Sequence, residues 1–86
     1  MTVSPDVIRA TLLELVAQRG PNQTICPSEV ARALNTEDWR RLMPTVRQVG
    51  QQLRAEGRIV VTQKGQPVDP NHASGPIRYR QTEETP

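Results

Sequence analysis

Apolar residues in this chain keep helical spacing as far as Leu53 and then switch to strand alternation. Ile8, Thr11, Leu12, Leu15 and Val16 share one helix face. Ser4 supplies a cap for that helix, Pro5 suits its first position, and Asp6 favours the positive end of the dipole. Arg19 falls in the last turn, and Gly20-Pro21 stops the helix. A thinner stripe of Ala10, Leu13 and Ala17 lies on the opposite side. It is expected to pack beneath the chain ends, with a self-association patch as the alternative.

Gln23-Thr24-Ile25 suits a short strand, and Pro27-Ser28-Glu29 opens a second helix with Val30, Ala33 and Leu34 turned inward. Asn35 and Thr36 form a stop and a new cap. Glu37 to Met43 predicts a short helical turn, and Pro44 is expected to begin a third helix, since proline disfavours a helix interior. From Leu42 the apolar positions Val46, Val49 and Leu53 follow at helical intervals, with Gly50 beside them and Gly57 as the stop. Alternation then places Ile59 and Val61 inward and Val60 and Thr62 outward. In the returning strand Ile77 and Tyr79 point in, Arg78 and Arg80 out. Between the strands runs one long proline-containing loop over 64–75, in which Asp69-Pro70 suits a helical turn reaching Ala73. Residues 81–86 turn polar and acidic and are expected to be a disordered tail on a domain spanning 4–80.

Composition narrows the function more than the fold. Eighty-six residues allow one small core, with no Phe and with Trp39 and Tyr79 as the sole aromatics. No apolar run approaches the ~20 residues that span a bilayer, and MTVSPDV lacks the features of a secretion signal. A lone Cys26 excludes an internal disulfide and fits a reducing cytoplasm. Ten of the eleven basic residues are Arg, Lys64 being the exception, and the formal net charge is +2. Arginine favours flat bidentate contacts with phosphate and guanine edges, although solvated arginines give the same composition.

The segments CPSEVARAL, DWRRLMPTVRQVGQQLRAEGRI and VTQKGQPVDP, followed by GPIRYR, resemble a family of short bacterial proteins of unknown function assigned to the winged-helix group. The resemblance covers Pro5 to Arg80. It implies an α+β fold, a winged helix in which a three-helix bundle carries a small antiparallel sheet and one long wing. It also implies DNA binding, by analogy with the wider group rather than from the fold itself.

On the third helix, the face opposite the core stripe carries Pro44, Gln48, Gln51 and Ala55, flanked by Arg47 and Arg54 on one edge and Thr45 and Gln52 on the other. Arg pairs bidentately with guanine and Gln with adenine, so Thr45, Arg47, Gln48 and Gln51 are candidate base contacts on double-stranded DNA. Arg40, Arg41, Arg54, Lys64, Arg78 and Arg80 are candidate backbone contacts, with Lys64-Gly65 letting amides approach a phosphate. An ordinary solvated helix face, or a protein-binding or homodimer surface, remains the alternative. Arg58 suits either a phosphate or Glu56. Trp39 is expected to anchor the turn before the third helix, and Tyr79 to place its hydroxyl at the sheet rim. Cys26 falls at the cap of the second helix, where a reactive thiolate and a small buried hydrophobe are both open. His72 has only Asp69 near it as a metal ligand, and no nucleophile, acid and base set can be assembled. Neither an enzyme, a metal nor a cofactor is expected, and neither is a sizeable ligand pocket.

Overall fold

The computed structural model describes residues 3–70 and 75–82. Among them, helices α1 (Pro5–Arg19), α2 (Pro27–Leu34) and α3 (Trp39–Ala55) are followed by strands β1 (Ile59–Gln63), β2 (Gln66–Pro67) and β3 (Arg78–Gln81). The strands form one antiparallel sheet in the order β2-β1-β3. This α+β arrangement is compatible with a winged helix.

Local chemistry starts and stops these elements. The Ser4 side chain accepts a hydrogen bond from the Val7 N–H at 3.3 Å, satisfying one of the free donors of α1. Cys26 occupies the N-cap of α2, where its N–H donates to the Glu29 carboxylate at 3.1 Å. Asn35 ends α2 and turns the chain, its Oδ1 accepting from the N–H groups of Glu37 and Asp38 at 3.1 and 3.0 Å.

One core joins the layers. Ile8, Leu12 and Val16 of α1, Val30 and Ala31 of α2, and Val46, Val49 and Leu53 of α3 meet Ile59, Val61 and Tyr79 from the sheet. Ile25 is buried with them and extends the sheet beyond β3, exchanging both backbone hydrogen bonds with Tyr79 at 2.8 Å. Burial of each large aliphatic side chain contributes about 1.5–3 kcal/mol.

Several expectations fail for definable reasons. α3 does not begin at Pro44 but runs unbroken through it from Trp39. Pro44 is the sixth residue of α3 and has no N–H to donate to the Arg40 carbonyl, so the helix gives up one hydrogen bond near its N-terminal end. On α2, Ala31 is buried and Ala33 exposed, reversing the inward assignment of Ala33. Thr62 is buried rather than outward, being paired on both flanks, to Pro67 and to Arg78. The long loop over 64–75 contains a strand, since β2 returns beside β1 with Gln63 opposite Gln66. Lys64 and Gly65 form the two-residue turn between them, with φ of 52° and 80°. Positive φ at both central positions is what a tight hairpin turn requires. Pro67 sits on the edge strand, where a missing N–H breaks no ladder. β3 itself includes Gln81, which pairs with Ile59. The helical turn expected up to Ala73, His72, and the tail from residue 83 lie outside the described residues.

Candidate nucleic-acid interface

The N-terminal half of α3, the start of α2 and the hairpin turn converge on one open cleft of about 470 Å³. Each element brings a cation or an apolar wall. Arg47 comes from α3, Lys64 from the β1–β2 turn and Arg78 from β3, and all three line the cleft. Met43 and Ile77 form apolar walls with Pro27 and Pro76. No carboxylate is among the described residues lining it. A cleft of this size was not expected from the sequence. Its walls come from segments far apart in the chain, brought together by the β3–Ile25 bridge and the packing of α2 on α3.

Arg78 is held in place. Its Nε donates to Thr24 Oγ1 at 2.5 Å, and its Nη1 lies 3.5 Å from Cys26 Sγ. Cys26 is half-buried and lines the cleft beside Ser28. Arg47 and Lys64 are exposed and have no ion-pair partner among the described residues. Gln48 and Gln51 are exposed on α3 near Arg47, while Thr45 is half-buried. Arg47 and Gln51 also border a smaller hollow with Pro70, Gly75 and Ile77.

The remaining predicted cations do not line this cleft. Arg41 pairs with Asp38 at 3.1 Å and Arg54 with Asp69 at 3.7 Å. Arg40 lies 4.5 Å from the centre of the Trp39 ring, and Arg32 lies 4.4 Å from the same ring. Trp39 thus packs partly on the core, as expected of an anchor, and also carries two guanidinium groups. Arg80 is half-buried and donates to the Gln81 carbonyl at 3.3 Å. Elsewhere Arg9 bonds both Glu56 oxygens, so Arg58 is not the hydrogen-bonded partner of Glu56. Those hydrogen bonds from Arg9 hold the Glu56 carboxyl below the usual carboxylate range. Arg19 pairs with Glu29 at 2.5 Å. Burial pushes Glu29 up, but the Cys26 N–H and Arg19 outweigh it and leave the carboxyl lowered.

Tyr79 departs most from expectation. It is fully buried instead of sitting at the sheet rim, and its hydroxyl has no hydrogen-bond partner among the described residues. Gly50 makes this possible, because a Cβ there would lie 2.5 Å from the hydroxyl oxygen. Burial raises the phenol to about 12, with Arg47 opposing the shift. Of the thin stripe on α1, Leu13 is half-buried while Ala10 and Ala17 are exposed, and Leu13 and Ala17 border a hollow with Gln81 and Thr82 beside the end of β3. Among the described residues no three His, Cys, Asp or Glu side chains come together, and no helix is long and apolar enough to cross a membrane.

The chain belongs to the family described as "Protein of unknown function (DUF3253)", whose model matches residues 5–82. No curated protein matches it.

Proposed function

We propose that this family member is a winged-helix domain that binds double-stranded DNA, with α3 in the major groove and the wing, residues 64–75, along the backbone. One observation carries the reading. Arg47, Lys64 and Arg78 arrive from three separate elements at one surface that presents no carboxylate among its described lining residues. That surface adjoins the exposed Gln48 and Gln51, whose amides match adenine edges as Arg47 matches guanine. Thr45, being half-buried, reaches a base only at the margin of the interface. The cations already engaged within the fold contribute less. Arg41 and Arg54 must leave Asp38 and Asp69 to meet a phosphate, and Arg40 must leave the Trp39 face.

A second reading is a protein-interaction module on the same scaffold. It is favoured by the number of arginines committed to intramolecular partners, with Arg9, Arg19, Arg41 and Arg54 all in ion pairs.

Fluorescence anisotropy on a random-sequence duplex, titrated from low to physiological salt, separates the two. If Arg47, Lys64 and Arg78 each neutralise one phosphate, log K should fall against log salt with a slope of about −3; engagement of all seven candidate Arg and Lys side chains, including Arg47, would give about −6. The Arg47→Ala/Arg78→Ala variant should lose most of the affinity. Absence of binding at low salt removes the DNA reading and leaves the protein module.

A further inference from the structure

We propose that the cleft between α2, α3 and the hairpin is a binding site for a small organic anion with an apolar body, such as an aryl or alkyl carboxylate. Its volume of about 470 Å³ lies within the roughly 300–1,000 Å³ typical of small-molecule sites. A surface built only for phosphate would need cations at its rim and no apolar interior. This cleft has both. Met43, Ile77, Pro27 and Pro76 offer walls against which an apolar body loses water.

Charge complementarity fixes the sign of the occupant. Arg47, Lys64 and Arg78 line the cleft, and no described lining residue is acidic. Arg78 is already oriented by Thr24 and Cys26, so little side-chain entropy is lost when it meets a carboxylate. Ser28, at the second position of α2, adds a hydroxyl and its own N–H, which has no i−4 acceptor within the helix. A neutral apolar molecule would leave the cations unanswered, and inorganic phosphate would leave the apolar walls unused.

The inference shares residues with the proposed DNA contact but does not depend on it. Where both hold, the anion competes with a DNA phosphate, which makes the cleft a point of control. Nitrogen-15 correlation spectra of the full chain, without DNA, test the site with phenylbutyrate, octanoate, phenylbutanol and inorganic phosphate. Phenylbutyrate or octanoate should give saturable shifts centred on Ser28, Arg47, Lys64 and Ile77. Phenylbutanol and phosphate should each bind about tenfold more weakly or worse. Arg47→Gln/Lys64→Gln should weaken carboxylate binding about tenfold and leave phenylbutanol unaffected, whereas Met43→Ala should weaken both.

Equal affinity for phenylbutyrate and phenylbutanol, equal affinity for phosphate, or no saturable shift at the cleft with either carboxylate overturns the proposal. The duplex titration runs separately. A chain that binds the carboxylate but no DNA retains this site and loses the DNA reading, and the converse result does the reverse.

Discussion

Replacing Gly50 with alanine pits helix propensity against packing. In an unconstrained helix interior, Gly→Ala stabilises by about 0.8–1 kcal/mol. Here the added Cβ would stand 2.5 Å from the Tyr79 hydroxyl oxygen, 2.7 Å from Cζ and 2.9 Å from Cε1. Those atoms belong to a rigid ring that is 0% exposed, so it cannot swing into solvent to make room. Overpacking of this kind costs about 1–3 kcal/mol, and three such contacts put the site toward the upper end. The balance is a net loss of about 1–2 kcal/mol, or a Tm lower by about 4–16 °C in a domain of this size. Urea and thermal denaturation read it directly. Tyr79→Phe supplies the second arm of a double-mutant cycle. It removes the closest contact and an unsatisfied hydroxyl, so Gly50→Ala should cost less in that background, with a coupling of about 0.5–1 kcal/mol. A stabilised Gly50→Ala protein, or strictly additive variants, would refute the claim that Gly50 exists to admit the Tyr79 ring.

Tyr79 is the only tyrosine, so its ionisation can be followed by phenolate absorbance. The unfolded phenol titrates near 10 and the folded one at about 12, so this stability is intact below pH 10 and is lost as pH rises towards 12; Tyr79→Phe should abolish that alkaline limb, and a phenolate forming near pH 10 in the folded chain contradicts the burial. Glu29 is lowered, so its contribution is present above the usual carboxylate range and disappears as pH falls through the folded value; Glu29→Gln should flatten the acid limb of stability, and an unchanged limb counts against the cap. Lys64 has φ of 52°, a conformation asparagine tolerates better; Lys64→Asn should stabilise the hairpin by about 0.5–1 kcal/mol while lowering the DNA salt slope by about one, and a lower Tm with an unchanged slope would reject both roles.

The periodic elements were legible because their signals were local. Ser4-Pro5-Asp6 gave the start of α1, and Val46, Val49 and Leu53 gave the buried face of α3. The errors came where a neighbour in space outvoted a neighbour in sequence. The rarity of proline inside helices predicts a helix start at Pro44, yet α3 runs through it and gives up one hydrogen bond near its N-terminal end. Alternation points Thr62 outward, but it is buried between its cross-strand neighbours Pro67 and Arg78. β2 leaves no signal in the sequence because two residues carry no periodicity, although Lys64-Gly65 holds the turn. The α3 face opposite the core stripe is exposed as its spacing predicts, and Arg41 meets Asp38 at a spacing of three, whereas the Arg54–Asp69 pair depends on a loop whose approach no spacing rule gives. The cleft has no signature in the sequence, because Pro27, Met43, Lys64 and Ile77 share no local pattern.

The Gly50–Tyr79 contact also links the core to the proposed interface. Gly50 and Arg47 lie one turn apart on α3, and Tyr79 is the β3 neighbour of Arg78. The close approach of helix to strand therefore sets the separation between the Arg47 and Arg78 sides of the cleft. A Cβ at position 50 forces α3 and β3 apart even though neither cation is altered. Gly50→Ala, measured at a temperature where it is fully folded, should then bind a random duplex more weakly than the unaltered chain, with a salt slope lower by up to about one as one arginine leaves the shared surface. Tyr79→Phe in the same chain should restore part of both. If Gly50→Ala loses stability but keeps full affinity and slope, the spacing of Arg47 and Arg78 does not matter to the partner, and the convergence of cations at the cleft no longer supports the DNA reading.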